Sequence, residues 1–230
     1  MITADPRLIV ALDLPSAADA RRLVARLEGS VSFYKVGLQL FATEGMALAR
    51  ELKAAGRQVF LDWKLHDIGA TVEKAAAALA GAGGDLLTVH AEPQVMAAAV
   101  KGTAGSGLRV LGVTVLTSLT PADLEAIGYS DTPEALVRRR VRQAVDAGCA
   151  GVVASPQEAA LAREIGGPEF LVVTPGVRPA GASMDDQARA ATPADALRNG
   201  ASHLVVGRPI TAAADPKAAA EAIVREMAGV

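Results

Sequence analysis

Asp62, Lys64 and Asp67 stand at the spacing D-x-K-x-x-D inside an otherwise apolar stretch, Phe60-Leu61-Asp62-Trp63-Lys64-Leu65-His66-Asp67-Ile68. The stretch opens as a strand. Alternate strand residues share a face, so Asp62 and Lys64 are predicted to point the same way. Asp67 falls just beyond, on a loop leading into a helix. Charge at such a place is costly unless it is paired or used. Carboxylates around a lysine favour its ammonium form. A cation preset in this way can stabilise negative charge developing on a bound molecule without first having to reorganise. A purely structural ion pair is the plainer reading of Asp62 with Lys64. Lys35, at the end of the preceding strand, brings a second cation to the same region and argues against it.

A second set of residues suits an anion. In Gly207-Arg208-Pro209 the glycine lets backbone approach closely, and the guanidinium offers a two-pronged charge. Arg178 and Gln187 lie on a polar, Gly/Pro/Asp-rich segment, residues 175–191, too long for an ordinary connection and placed to close over the same anion. An arginine that is merely solvated is the alternative for Arg208.

The elements that must position these groups alternate almost without interruption. Strands are predicted at Arg7 to Leu12, Ser32 to Val36, Gln58 to Lys64, Asp85 to His90, Arg109 to Leu116, Gly151 to Ala154, Phe170 to Thr174 and His203 to Val206. Each is followed by an Ala-rich helical segment: one capped by Ser16, then about 41–55, about 70–80, after Pro93, 121–126 with about 132–147, and from Ser155-Pro156. The strands are apolar throughout, as in a parallel sheet covered on both faces. Eight such units predict a single (β/α)8 barrel over residues 1–230. A doubly wound open sheet is the alternative, but Asp13-Leu14-Pro15 lacks the Gly-rich first turn expected of one. In a barrel the strand C-termini carry the chemistry. Here they present Asp13, Lys35, Asp62, Lys64, Asp67, His90, Thr117, Ser118, Arg178 and Arg208, with the phosphate site of such folds falling after strands seven and eight.

Composition removes other classes. No apolar run approaches the ~20 residues of a membrane span. Met1-Ile2-Thr3-Ala4-Asp5-Pro6 has no basic stretch before an apolar one, so no secretory signal is expected. One cysteine, Cys149, excludes an internal disulfide and suits a reducing, cytoplasmic setting. A net charge of -2 and 3% aromatics argue against a nucleic-acid surface.

Taken together, Ala11-Leu12-Asp13, Tyr34-Lys35-Val36-Gly37, Leu61-Asp62-Trp63-Lys64-Leu65-His66-Asp67-Ile68, Leu116-Thr117-Ser118, Thr174-Pro175-Gly176-Val177-Arg178 and Val206-Gly207-Arg208-Pro209 resemble the orotidine 5'-phosphate decarboxylase family in order along the chain. The pattern departs at Gly69-Ala70, where many members carry Pro-Asn; Thr71-Val72 comes next, in place. The resemblance implies decarboxylation of orotidine 5'-phosphate to uridine 5'-phosphate without metal or organic cofactor. It implies Lys64 as proton donor to the ring carbon, within an alternating array of Lys35, Asp62, Lys64 and Asp67. It also implies a homodimer in which Asp67, Ile68 and Thr71 serve the neighbouring subunit's site. By the same likeness Asp13 meets ribose hydroxyls, Thr117-Ser118 the pyrimidine, Gln187 the route to the phosphate, and Gly207-Arg208 the phosphate itself.

Two chemical rivals and one binding rival are weighed beside it. Magnesium-dependent sugar-phosphate decarboxylases and aldolases of the same barrel suprafamily share D-x-K-x-x-D, but they resemble proteins with an acidic residue at the end of strand two, where this chain has Lys35. His66, His90 and His203 are scattered, with no metal-ligand spacing. Arg138, Arg139, Arg140 and Arg142 read as a solvated helix face or an interface, with Glu134 placed to pair with Arg138. Cys149 reads as structural.

Overall fold

The computed structural model describes residues 3–179 and 191–230. The first strand, β1 (Leu8–Ala11), leads to α1 (Ala17–Arg26), and β2 (Phe33–Gly37) to a short α2 (Leu38–Phe41) and α3 (Gly45–Ala54). Next come β3 (Gln58–Leu65) with α4 (Gly69–Ala80), and β4 (Leu86–His90) with α5 (Pro93–Gly102). β5 (Arg109–Val113) precedes α6 (Pro121–Ala126) and α7 (Pro133–Asp146). β6 (Gly151–Val153) is followed by α8 (Ala159–Gly166), and β7 (Leu171–Thr174) by α9 (Pro193–Arg198). β8 (His203–Val206) runs into α10 (Arg208–Thr211) and α11 (Pro216–Met227). Each strand pairs in parallel with the next, and β8 returns to β1, closing the barrel.

Two apolar layers result from the two-residue period of the strands. Ile9, Phe33, Phe60, Leu86, Leu111, Val173 and Val205 point inward and plug the barrel. Their neighbours, such as Val10, Tyr34, Leu61 and Leu87, point outward and pack under the helices. One strand period above the plug, on the same inward face, the chain places Lys35 over Phe33, Asp62 over Phe60 and Thr88 over Leu86. The charged site is therefore the next layer of the barrel interior. It stands on hydrocarbon.

Helix boundaries reflect local chemistry. Ser16 caps α1 by accepting the Asp19 N–H at 3.1 Å, and Thr132 caps α7 by accepting that of Ala135 at 3.2 Å. Glu134 and Arg138 pair at 3.6 Å as expected.

Four expectations need correction. The helix predicted over 41–55 is divided, with a turn at 42–44 between α2 and α3. The fifth strand stops at Val113 rather than Leu116, because the Arg140 guanidinium takes the Thr114 carbonyl, whose hydroxyl donates to Val153 O at 2.9 Å. Arg140 is thus no part of a solvated face: it also donates to Tyr129 Oη at 2.7 Å and lies over that ring. Ser155 does not start a helix. Its N–H donates to Glu158 Oε2 at 3.1 Å in a tight turn, and α8 begins only at Ala159. Among the described residues no helix is long and apolar enough to cross a membrane.

Candidate active site

The inward ends of β2 and β3 form a continuous chain of alternating charge. Lys35 Nζ lies 3.0 Å from Asp13 Oδ1 and 3.3 Å from Asp62 Oδ2. Lys64 Nζ lies 2.8 Å from Asp62 Oδ1. Lys35 is buried, so its charge is offset by carboxylates on both sides rather than by water. Burial by itself would push the Asp62 carboxyl up. The Lys35 and Lys64 ammonium groups, with hydrogen bonds from Lys64 and Thr88, hold it below the ordinary carboxylate range. Asp62 is a fixed anion between two cations.

Asp62 and Lys64 do share the barrel mouth, but regular pleating is not what brings them there. Lys64 has φ 47°, and the pairing of β3 with β4 shifts register between Leu61 and Leu65. A left-handed backbone at a non-glycine residue costs on the order of 1–3 kcal/mol and persists only where neighbours impose it. Thr88 imposes it here, accepting the Lys64 N–H at 3.0 Å and donating to Asp62 Oδ1 at 2.9 Å. Trp63, pointing the other way, is buried against Phe41, ring centroids 4.4 Å apart.

Thr88 was not legible as a site residue, and neither was Gly37. A Cβ on Gly37 would fall 2.4 Å from Asp13 Oδ1 and 2.8 Å from Lys35 Nζ. Only glycine leaves room for that ion pair. Its signal in the sequence was a glycine closing an otherwise bulky strand, next to a lysine.

Asp13, Lys35, Asp62 and Lys64 line one side of a cavity of about 500 Å³, a size suited to a nucleotide-like ligand. Thr117 and Ser118 border it, and Arg178, Gly207 and Arg208 lie across it. Arg178 is buried; its Nη1 donates to Val177 O at 3.0 Å, while its Nε has no partner among the described residues. The Arg178 N–H donates to Ala191 O at 3.0 Å, so the two ends of the long segment are tied together at the rim. Gln187 lies outside the described residues, as does most of the 175–191 segment.

Asp67, Ile68 and Thr71 do not join this cavity within the chain. All three are exposed, Ile68 by 72%, and the Asp67 carboxylate accepts its neighbour Ile68's N–H at 2.6 Å. Of the three histidines read as scattered, the fold brings two together: the rings of His66 and His90 lie 4.7 Å apart. Among the described residues no group of three His, Cys, Asp or Glu side chains could hold a metal ion. Cys149 is buried, which pushes its thiol up to about 12 and leaves it unreactive.

Residues 6–223 match the model of the orotidine 5'-phosphate decarboxylase / HUMPS family. The chain belongs to that family. It is 69% identical over 229 residues to the orotidine 5'-phosphate decarboxylase of Caulobacter sp. (strain K31), covering 100% of both chains. It is 54% identical over 228 residues to that of Rhodopseudomonas palustris (strain BisA53), covering 99% of this chain and 97% of the relative. The crystal structure of orotidine 5'-phosphate decarboxylase from Lactobacillus acidophilus superposes with a TM-score of 0.85 at 38% identity, over 97% of this chain and 99% of that one. Family membership extends through both halves of the cavity, from the β1 end at Asp13 to Arg208.

Proposed function

We propose that this chain decarboxylates orotidine 5'-phosphate to uridine 5'-phosphate, with its own side chains supplying the chemistry. The observation that carries this reading is the Lys35–Asp62–Lys64 chain, at 3.3 and 2.8 Å, on one side of a cavity whose other side holds Arg178 and Arg208. A cationic proton donor and an anion grip thus share one nucleotide-sized space.

In the reaction the bond between ring carbon C6 and the carboxylate breaks, and carbon dioxide leaves. The electron pair stays on C6 in the ring plane, where the π system cannot absorb it. The Lys64 ammonium stabilises that pair as it forms and gives it a proton. The neutral amine then regains a proton from water. A substrate carboxylate brought to ~4 Å from Asp62 meets a repulsion of about 4 kcal/mol at an effective dielectric of ~20, which is relieved as carbon dioxide forms. Asp13 and Lys35 meet the ribose hydroxyls, and Thr117 and Ser118 the pyrimidine. Arg178, Gly207 and Arg208 take the phosphate, with Gln187 joining them as the 175–191 segment closes. Binding energy from that remote group holds the ring against the charged array.

The reading includes a homodimer that brings Asp67, Ile68 and Thr71 to the neighbouring subunit's site. Exposed Leu38, Phe41 and Ile68, on the loops and helix starts after β2 and β3, are apolar surface that such a contact would cover. With its buried, unreactive thiol the enzyme suits the cytosol.

The magnesium-dependent sugar-phosphate reading is disfavoured by Lys35, which puts a cation where the metal's ligand would stand. Orotidine 5'-phosphate added to chelator-treated protein should lose its orotate absorbance. An unchanged spectrum, or activity returning only with magnesium, contradicts the assignment.

A further inference from the structure

His66 and His90 come together through the same irregularity that shapes Lys64. Beyond the register shift Leu65 pairs with Val89, so the next residue of each chain segment lies beside the other. The two rings are 4.7 Å apart and tilted by 37°. His66 Nε2 lies 3.0 Å from Glu92 Oε2. Glu92 is itself held fast as the residue capping α5: its N–H donates to His90 O at 2.8 Å, and its carbonyl accepts from Val95 and Met96 at 3.0 and 2.9 Å. At the far end of α5 the helix packs closely on α4, where a Cβ on Gly102 would meet Glu73 O at 2.3 Å.

None of His66, His90 and Glu92 lines the cavity, and decarboxylation by the Lys64 array does not use them. Directly after His66 the chain presents Asp67 and Ile68, both exposed. A carboxylate that must serve an ammonium group in another subunit needs its own backbone fixed, since a misplacement of ~1 Å can cost on the order of 10²-fold in rate.

We propose that His66, gripped by Glu92 and backed by His90, is a positioning residue that sets where Asp67 and Ile68 are presented to the active site of a second copy of this chain. The inference rests on the reading that Asp67 acts across a dimer. On that basis His66 belongs functionally to the neighbour's site, although it lies near its own Lys64 in sequence.

Heterodimers separated by two affinity tags test this and keep the two ideas apart. His66→Ala homodimers should lose on the order of 10–100-fold in kcat/KM, while His66→Gln, which can still donate to Glu92, recovers most of it. Paired with a Lys64→Ala subunit, an Asp67→Ala subunit should regain about half of wild-type turnover, because one of the two sites is intact. A His66→Ala subunit paired with Lys64→Ala should regain the same. Recovery with Asp67→Ala but none with His66→Ala means that His66 serves its own site, and overturns the inference alone. Recovery with neither overturns the dimeric reading and the inference together. Unimpaired His66→Ala homodimers overturn the inference as well. Glu92→Gln, which leaves the backbone cap in place, repeats the test where His66→Ala does not fold.

Discussion

Thr88 accepts the backbone N–H of Lys64 at 3.0 Å, and that bond sits on the one non-glycine residue with positive φ among the described residues. The same hydroxyl donates to Asp62 at 2.9 Å. One buried threonine therefore fixes both the backbone and the counter-ion of the lysine proposed as proton donor. Thr88→Val should lower kcat by roughly 10–100-fold and cost about 1–3 kcal/mol of stability, since it strands a buried N–H and removes a bond to a carboxylate. Thr88→Ser, which keeps the hydroxyl, should retain most of both. Steady-state kinetics with urea unfolding on the three proteins checks this.

Gly37→Ala probes the other end of the array. The added methyl meets Asp13 Oδ1 and Lys35 Nζ, both tips of flexible side chains, so the barrel survives while the pair moves apart. Activity should fall about tenfold or more with little change in unfolding midpoint. Wild-type kinetics in this variant would show that the Asp13–Lys35 contact has no role in turnover.

The barrel was readable because its physical cause is local. Strands buried on both faces must be apolar throughout, each needs a covering helix, and Ser16 and Thr132 mark helix starts by the bonds their hydroxyls can make. Half of the site was readable for a related reason: charge such as Asp62-Trp63-Lys64 at the end of an apolar strand has few uses. Thr88 was hidden because its role depends on the register between β3 and β4, which neither strand encodes alone. Arg140 was hidden in a run of arginines. Its neighbours Arg138 and Arg139 do pair with surface acids, Glu134 and Asp131, while Arg140 turns inward to end β5. Spacing puts Asp67 in the array and the family resemblance assigns it to the neighbouring subunit's site; within the single chain it is exposed.

Gly69 offers a stabilising change. It opens α4, and Ile68 before it has φ -59° and ψ 145°, a conformation that a following proline favours. A Cβ there would find only ordinary contact, with Ala98 Cβ at 3.7 Å. Gly69→Pro should therefore raise stability by about 0.4–1 kcal/mol, chiefly by restricting the unfolded chain. A lowered urea midpoint would mean that the first turn of α4 needs the Gly69 N–H.

Acid sensitivity should come from the closed end of the barrel. His203 is half-buried, edge-on against Phe33, and its removal from water, with Arg109 and Arg7 nearby and Asp5 opposing them, brings its imidazole from 6.5 down to about 4. The unfolded chain takes up a proton below the upper value, whereas the folded chain does not until the lower one. Stability should then fall as pH drops across that interval, by roughly 3 kcal/mol in all. His203→Gln should flatten this slope. Urea midpoints across the interval for both proteins decide it, and equal slopes would contradict the assignment.

The most direct test of the central claim is turnover of orotidine 5'-phosphate by chelator-treated Lys64→Ala beside the wild-type protein. The expected result is a variant with wild-type circular dichroism whose turnover is lower by roughly 10³-fold or more, the size expected when both a proton donor and a preset charge are lost. Turnover within about tenfold of wild type would contradict it, because general acid catalysis by a well-placed lysine is worth more than that.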